Sequence, residues 1–309
     1  MRQHGADCAC AKRNVDCTSF LCHNLIVGEN PITSHDRLTS RIYAGSTPLA
    51  CRIEIHQRYT VPHVDFVQWV LDLICWAGDE QVLDIGCGSG NYVEPVAERL
   101  RGSAGPLTRV TRHVIGDVSL GMLRDLRRTT DLPAVNLDVT SLPISADSYD
   151  LVLANHVLHD VPDVNQAVTE CRRVLRKTGR LLAATNSQST MAELAALIRA
   201  GYDRLGVPLS ILPDKPFKNF SLENGKATLD RQMANVERHI LHSALVFHQA
   251  EPLLAYINST RGMYEPDLPN AISWDALLAI WHDMIADHIA LHGEFRIGKV
   301  SGAFVALKQ

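Results

Sequence analysis

The hydrophobic positions in the middle of this chain alternate between two periods. Short apolar runs typical of buried strands are followed by segments in which apolar residues recur every three or four positions, as on one face of a helix. Strands that alternate with helices in this way predict a parallel sheet with helices on both faces. The predicted strands cover residues 81–85, 109–115, 134–137, 150–154 and 180–185, and the predicted helices cover residues 91–101, 120–128 and 164–175.

The flanking segments carry different patterns. Residues 1–40 are polar and lack an apolar period, which predicts a flexible N-terminal extension. Residues 41–309 are expected to form one domain. Its parts are an α/β core at 64–186, a helical lid or cap insertion at 187–235, and closing strands and helices at 236–309. Helices are predicted at 64–77, 191–205, 222–236, 251–258 and 274–292, and strands at 236–241 and 295–307.

The clearest chemical signal follows the first predicted strand. Residues 82–92, VLDIGCGSGNY, run from an apolar strand through Asp84 into Gly86, Gly88 and Gly90 before a helix begins. Glycine permits a tight turn and a close approach of the backbone to a ligand, and the first N–H groups of the helix are free to bind it. The stretch therefore predicts a nucleoside-cofactor site. Dinucleotide enzymes use a related G-x-G-x-x-G turn, but the G-x-G-x-G spacing and the Asp favour another cofactor.

This stretch resembles motif I of class I S-adenosylmethionine (SAM) methyltransferases, of the small-molecule, methyltransferase domain 11/25-like type. Four later stretches resemble the family in the expected order, so the resemblance covers residues 81 to about 186. It implies a Rossmann-like, doubly wound, mostly parallel seven-stranded sheet with an antiparallel closing strand and a helical cap insertion. The four stretches are HVIGDVSLGML at 113–123, NLDV at 136–139, YDLVLANHVLHDVP at 149–162 and VLRKTGRLLAAT at 174–185, the last interpreted as a helix end, a glycine stop and a buried strand.

The resemblance assigns SAM as the cofactor and gives cofactor roles to residues at the strand ends. Asp117 is expected to bind the ribose hydroxyls, because a carboxylate accepts two hydrogen bonds from a cis-diol. Asp138 is expected to contact the adenine amino group, and Asn155 to face the cofactor. The predicted cofactor-binding residues are Asp84, Gly86, Cys87, Gly88, Asn91, Asp117, Val118, Met122, Asp138, Val139 and Asn155.

Methyl transfer from a sulfonium needs alignment and exclusion of water, and a general base helps when the acceptor is a hydroxyl. His159 is the first candidate base, because it resembles the candidate base of sugar and quinone O-methyltransferases; the alternative is that it orients its loop. Thr185 and Asn186 stand where some of those enzymes carry an acid. His156 is a second catalytic candidate, or it contacts the methionyl end of the cofactor. Tyr59 is a candidate for closing over the methyl group, with packing as the alternative.

Composition narrows the choice of partners. The chain has 309 residues, a net charge of −4, a pI near 6.4 and no block of five like charges, which argues against a nucleic-acid or anionic-membrane surface. No stretch approaches the length of an apolar membrane span, so a soluble, cytoplasmic protein is expected. A small, neutral or cationic acceptor with a hydroxyl or amine, such as a secondary metabolite, is favoured. A homodimer stays open.

No metal site is predicted. The eight cysteines are expected to be free thiols in the cytosol, and His288 and His292 share a helix face without a clear third ligand. Near the N-terminus, the cysteine-rich stretch lacks a C-x-x-C pair and contains Cys8, Cys10, Cys17 and Cys22 beside His4 and His23.

Three other functions remain as alternatives. A protein or RNA methyltransferase is the enzymatic alternative, although the chain lacks a basic stripe and an N-P-P-Y-like or Pro-Cys stretch after the fourth strand. A non-catalytic SAM-binding protein and an NAD-dependent reductase are the others. Binding of the cofactor would discriminate the reductase from the rest.

Overall fold

The computed structural model describes residues 46–100, 112–211 and 217–308. The predicted N-terminal extension at 1–40, with its cysteines, lies outside the described residues. The strands are β1 (Thr60–Val61), β2 (Val82–Ile85), β3 (His113–Asp117), β4 (Ala134–Asn136), β5 (Tyr149–Leu153), β6 (Leu175–Asn186), β7 (Ala234–Phe247) and β8 (Phe295–Leu307). The described helices are α1 (Thr47–Tyr59), α2 (Phe66–Leu71), α3 (Val93–Arg99), α4 (Leu120–Leu126), α5 (Val164–Val174), α6 (Ala192–Arg204), α7 (Gly225–Leu229), α8 (Ala250–Asn258), α9 (Arg261–Tyr264) and α10 (Trp274–His292).

The described strands form one sheet in the order β1-β7-β8-β6-β5-β2-β3-β4. Strands β2 to β6 are parallel, whereas β8 runs antiparallel between β6 and β7. This confirms the predicted Rossmann-like fold and its antiparallel closing strands. The sheet has eight strands rather than seven, because β1 pairs antiparallel with the edge of β7. A two-residue strand has no period, so the sequence pattern could not reveal it.

Both faces of the parallel strands are buried, as helices on both sides require. All four residues of β2 are buried. On one face Leu83 belongs to a core that includes Val168 of α5, and on the other Val82 belongs to a core that includes Val70 of α2. In the sheet β2 lies between β3 on one side and β5 on the other. The loop after β2 is therefore at the point where the strand order reverses, which is where open α/β sheets bind ligands.

A second apolar core lies over the antiparallel strands. It gathers side chains from α1, α6, α8 and α10 around the fully buried Tyr202, Trp274 and Trp281. The ring of Trp281 packs edge-on against both of the others, with centroid distances of 5.6 Å to Tyr202 and 5.4 Å to Trp274. This core fixes the position of α6 and α1, which border the cavity described below.

Several predicted boundaries were wrong. The helix predicted at 64–77 ends at Leu71, although Leu73, Ile74 and Trp76 still pack on the sheet. The apolar residues beyond the end of the helix are thus still partly buried. The Trp76 Nε1–H group donates to the Leu71 carbonyl at 2.8 Å. A helical period in the sequence therefore overestimated the length of α2.

The helix predicted at 222–236 is also shorter, since α7 covers only Gly225–Leu229 and β7 begins at Ala234. Likewise, the glycine predicted to stop a helix, Gly179, lies inside β6, which starts directly after α5. In both places pairing with distant strands extends the sheet at the expense of helix or loop. Helix α6, Ala192–Arg204, agrees closely with the predicted 191–205.

Among the described helices, none is both long and apolar enough to span a bilayer.

The contact between α6 and α10 gives a test of this packing. Gly201 of α6 lies so close to the Trp281 ring that a Cβ atom there would collide with it. Helix propensity alone favours alanine over glycine by about 1 kcal/mol, but overpacking of a core costs about 1–3 kcal/mol. We expect Gly201→Ala to lower the free energy of unfolding, measured by urea denaturation.

The matched control is Ala196→Gly, an exposed position on the same helix. It measures the propensity difference alone and should cost about 1 kcal/mol. A Gly201→Ala variant more stable than the wild type would show that Trp281 moves aside at no cost.

Candidate cofactor and acceptor site

A cavity of about 1320 Å³ opens at the carboxyl ends of the parallel strands. One end is bounded by the loops after β2, β3 and β4, and the other by α1, α6, α8 and the antiparallel strands. The loop after β5 lies between the two ends. The cavity therefore joins the predicted cofactor loops to a chamber built from the C-terminal half of the chain.

The glycine loop after β2 is held tightly against its neighbours. Gly86 has φ +67°, and a Cβ atom there would collide with the side chain of Val157. The N–H groups of Gly86 and Cys87 donate to the Gly116 carbonyl at 2.7 and 3.0 Å. Gly88 also has a positive φ, +52°. Other residues at these two positions would be strained, so glycine is required by the conformation.

Asp117, at the end of β3, ties this loop to the next one. Its Oδ2 accepts a hydrogen bond from the Gly88 N–H at 2.9 Å, and its Oδ1 accepts one from the Ser119 N–H at 2.8 Å. Burial raises the pKa of Asp117, and the hydrogen bonds from Ser119, Gly88 and Val118 partly oppose that rise. The carboxylate lines the cavity with its position determined by two backbone donors.

Asp84 lies one residue behind the loop and does not line the cavity. It is 1% exposed, and its Oδ2 has no hydrogen-bond partner among the described atoms. Burial, with the Asp117 carboxylate nearby, raises the pKa of Asp84 to about 8. A buried ionised carboxylate without a donor is costly, so the carboxyl group of Asp84 is mostly protonated at pH 7 in the ligand-free protein.

Asn155 presents the complementary unsatisfied donor. Its Oδ1 accepts a hydrogen bond from the Ala184 N–H at 3.0 Å, so its orientation is fixed. Its buried Nδ2 lacks a partner among the described residues and lies at the cavity wall. Asn155 thus offers the cavity a buried donor that an acceptor atom of a polar cofactor could satisfy.

The loop after β4 supplies the remaining predicted contacts. Asn136 Nδ2 donates to the carbonyls of Asp117 and Val118, both at 2.9 Å, which joins this loop to β3. Asp138 is exposed, and its Oδ1 accepts from the N–H and hydroxyl of Thr140 at 2.8 and 2.7 Å. Within the described part of the chain its second oxygen accepts no hydrogen bond, and Asp138 lines the cavity.

The structure brings the predicted cofactor residues together. Apart from Asp84, which lies behind the loop, all of them line the cavity. Their contacts with a cofactor stay predictions. The residues at the wall are Gly86, Cys87, Gly88, Asn91, Asp117, Val118, Met122, Asp138, Val139 and Asn155.

The two catalytic candidates after β5, His156 and His159, face the middle of the cavity. Their rings lie 6.1 Å apart, and His159 packs edge-on against Phe217 at 4.8 Å. Burial lowers the pKa of His159 to about 4, and burial with the nearby charges of His159 and Lys299 lowers the pKa of His156 to about 3. Both imidazoles are therefore neutral at pH 7, and each is a weak base.

The structure contradicts the predicted position of Tyr59. Its ring packs against Phe247 with a centroid distance of 5.0 Å and does not line the cavity. The reason is the phase of α1. Ile55 and Tyr59, four residues apart, face the second core, whereas Arg52 and His56 face the cavity.

Sequence reasoning missed two residues at the acceptor end, His56 and Lys299. His56 packs edge-on against Tyr256 at 5.5 Å, and its Nδ1 is buried without a partner among the described residues. Lys299 projects from β8 into the cavity. The sequence could have indicated Lys299, because alternate residues of a strand lie on the same face of the sheet. Lys299 therefore lies on the same face of β8 as the buried residues Ile297 and Ser301.

Helix α1 is fastened across the cavity at its N-terminus and near its middle. Ser46 donates from its N–H and its hydroxyl to Asp125 Oδ2 of α4, at 3.1 and 2.9 Å. Arg52 donates to the Ser259 carbonyl, after α8, at 3.2 Å. The helix thus connects the cofactor end to the second core and covers the space between them.

Within the described ranges, no three His, Cys, Asp or Glu side chains converge as metal ligands. Cys51, Cys75, Cys87 and Cys171 are free thiols.

Comparison with known proteins supports the same interpretation over part of the chain. The model of a methyltransferase domain family matches residues 83–183. An uncharacterised 37.1 kDa protein of a Streptomyces fradiae transposon is 32% identical over 159 residues, covering 50% of this chain and 44% of that protein. A malonyl-[acyl-carrier protein] O-methyltransferase from a Methylovorus species is 34% identical over 140 residues, covering 42% and 44%. A demethylmenaquinone methyltransferase from Renibacterium salmoninarum is 33% identical over 122 residues, covering 39% and 47%. The chain thus spans about half the length of the curated relatives it matches.

Solved structures resemble the fold over more of the chain. The [4+2]-cyclase SpnF aligns with a TM-score of 0.53 and 19% identity, covering 89% of this chain and 97% of that one. A protein from Bacillus halodurans described as a candidate methyltransferase aligns with a TM-score of 0.50 and 16% identity, covering 79% and 99%. At these identities the likeness establishes the fold alone.

Asp84 gives a test of the buried site in the ligand-free protein. Its folded-state pKa of about 8 exceeds the ordinary value of 3.8, so between these pH values the folded state holds a proton that the unfolded state has released. The free energy of unfolding should therefore fall as pH rises, by up to about 1.4 kcal/mol per pH unit. We expect Asp84→Asn to be more stable than the wild type, with a margin that grows from pH 5 to pH 8.

Urea denaturation at each pH measures this margin. Asp79→Asn, at an exposed position, is the control and should show no such growth. A margin for Asp84→Asn that stays constant with pH would contradict the raised pKa of the Asp84 carboxyl group.

Proposed function

From the match of a methyltransferase domain family to residues 83–183 and the geometry of the cavity, we propose that this chain transfers the methyl group of SAM to an oxygen or nitrogen atom of a small molecule. The acceptor would be a metabolite, such as a secondary metabolite, held in the chamber behind α1 and α6. The predicted cytoplasmic location and the homodimer remain expectations from the sequence.

The continuity of the cavity is the observation that carries this proposal. A cofactor held at the glycine loop would leave the adjoining chamber for a second molecule, in the same cavity of about 1320 Å³. That chamber is largely apolar and aromatic, as small-molecule sites usually are. Its apolar lining includes Phe66, Leu194, Ile198, Phe217, Tyr256 and Tyr264.

When bound, SAM supplies a methyl group on a positively charged sulfur. On this proposal Asp117 and Asp138 accept hydrogen bonds from the nucleoside, and Asn155 pairs its unsatisfied Nδ2 with a polar group of the cofactor. The backbone donors on Asp117 keep its carboxylate in place before the cofactor arrives. The site is thus preorganised at the cofactor end.

At the acceptor end the role of the chain is to align the acceptor with the methyl group and to exclude water. Holding an acceptor in line with the methyl group can supply about 7–11 kcal/mol, whereas a general base adds about a hundred- to ten-thousandfold. His159 is neutral at pH 7 and can take a proton, but its pKa of about 4 limits the driving force. We therefore assign most of the rate to alignment under α1 and α6.

The curated relatives support a small acceptor group. Two of them are named for methyl transfer to malonyl-[acyl-carrier protein] and to demethylmenaquinone. The enclosure of the cavity by α1 and α6 supports it as well, because a nucleic acid or protein chain would need an open groove.

Calorimetric titration with S-adenosylhomocysteine, the demethylated cofactor, tests the cofactor half of the proposal, with NADH as the comparison. We expect micromolar binding of S-adenosylhomocysteine and none of NADH. Asp117→Asn should weaken that binding by about tenfold or more, because one ionic acceptor is lost. Asp131→Asn, an exposed aspartate away from the cavity, is the matched control.

Transfer itself is tested by incubation with SAM carrying a labelled methyl group and a panel of phenols, amines and carboxylic acids. Failure to bind S-adenosylhomocysteine would refute the proposal. Binding without transfer to any acceptor would favour a non-catalytic protein or another reaction on this fold.

His159 has two roles that variants can separate. If its imidazole accepts a proton, His159→Ala and His159→Phe should both lower kcat by about tenfold or more, while the affinity for S-adenosylhomocysteine changes little. If it only packs against Phe217, His159→Phe should restore kcat, since phenylalanine keeps the ring contact. With a pKa of about 4, the wild-type kcat should be flat from pH 6 to pH 8. An unchanged kcat in His159→Ala would remove His159 from catalysis.

A further inference from the structure

The acceptor end of the cavity contains a lysine without a counter-ion. Lys299 Nζ donates to the Thr60 hydroxyl at 2.9 Å, and among the described residues it forms no salt bridge. Burial lowers the pKa of this amine to about 8, so it is mostly protonated at pH 7. Among the described residues the other two of its three N–H groups have no hydrogen-bond partner, and the side chain lines the cavity.

A second cation, Arg52, lies near Lys299. Arg52 and His56 project from α1 into the same end of the cavity. Burial, with the nearby charges of Lys299, His156 and Arg52, lowers the pKa of His56 to about 3, so this imidazole is neutral at pH 7. His156, from the loop after β5, is also within the electrostatic range of Lys299. A cationic acceptor group, which the composition of the chain favoured, would be repelled here.

The acids that line the cavity are engaged elsewhere. Asp117 and Asp138 belong to the cofactor loops, Asp65 caps α2 by accepting from the Gln68 N–H at 3.0 Å, and Asp163 caps α5. Asp160 lies beside His159, with 3.6 Å between Asp160 Oδ2 and His159 Nε2. The negative charge that would balance Lys299 is thus not supplied by these side chains.

We infer that Lys299 binds a carboxylate group of the methyl acceptor. This inference rests on the proposed function, since it names the class of acceptor. A single carboxylate matches one ammonium that has two free N–H groups.

The carboxylate of the cofactor is a less suitable ligand for Lys299. In the sheet, β8 is separated from β2, which carries the glycine loop, by β6 and β5. Three strand spacings place these two strands about 14 Å apart. Lys299 therefore belongs to the acceptor end, and Thr60 and His56 beside it come from the segment that covers that end.

Matched pairs of acids and amides test the inference in the full chain saturated with S-adenosylhomocysteine. The probes are benzoate and benzamide, 3-phenylpropanoate and 3-phenylpropanamide, and octanoate and octanamide, each titrated calorimetrically. We expect at least one acid to bind about tenfold or more tightly than its amide, as a charge-assisted hydrogen bond would provide.

Substitutions identify the residue responsible. Lys299→Met should abolish the preference for the acid, Lys299→Arg should retain part of it, and Lys177→Met, at an exposed position outside the cavity, should leave it unchanged. Loss of a buried ammonium is not expected to unfold the protein, and a melting curve of each variant checks this.

Three results would overturn the inference. They are equal binding of every acid and its amide to the wild type, a preference that survives in Lys299→Met, and a tenfold loss of S-adenosylhomocysteine affinity in Lys299→Met, which would assign the lysine to the cofactor. If the wild type fails to bind S-adenosylhomocysteine, the proposed function fails. The same pairs titrated into the protein alone then still test Lys299.

Discussion

The close packing of the glycine loop between β3 and β5 is the constraint on which the site depends. Gly86 lies against Val157 of the β5 loop, and its N–H bonds to the carbonyl of Gly116 on β3. Asp117 then holds Gly88 from the following position. Because these contacts join three strand ends, a disturbance at any one of them would move the cofactor loop and the loop that carries the histidines together.

The cavity has opposite electrostatic character at its two ends. Carboxylates at the cofactor end are fixed by backbone donors, whereas the acceptor end contains Lys299, Arg52 and neutral imidazoles. Burial disfavours the charged forms of Asp117, Lys299 and the imidazoles, so the ligand-free site is expected to be less stable than an apolar one of the same shape. Ligands that supply the missing partners would recover this free energy on binding, which links affinity to the preorganisation of the site.

Local sequence predicted the cofactor end well and the acceptor end poorly. The glycines and the aspartates lie in short motifs at strand ends, and parallel strands bring their carboxyl ends to one edge of the sheet whatever the rest of the chain does. At the acceptor end, Tyr59 was expected to face the ligand and His56 was overlooked, because the phase of α1 depends on which of its faces packs on the second core.

The sequence by itself determined the alternating α/β order, the glycine turn and the positions of Asp84 and Asp117, since each follows from a local period or a backbone requirement. Only the tertiary structure decided the short edge strand β1, the lengths of the helices, and the placement of Lys299 beside Thr60, with no counter-ion among the described side chains. These features depend on pairing and burial between segments far apart in the chain, as for Thr60 and Leu245 in the β1–β7 pair and for Thr60 and Lys299 with a separation of 239. No period along the chain encodes such contacts.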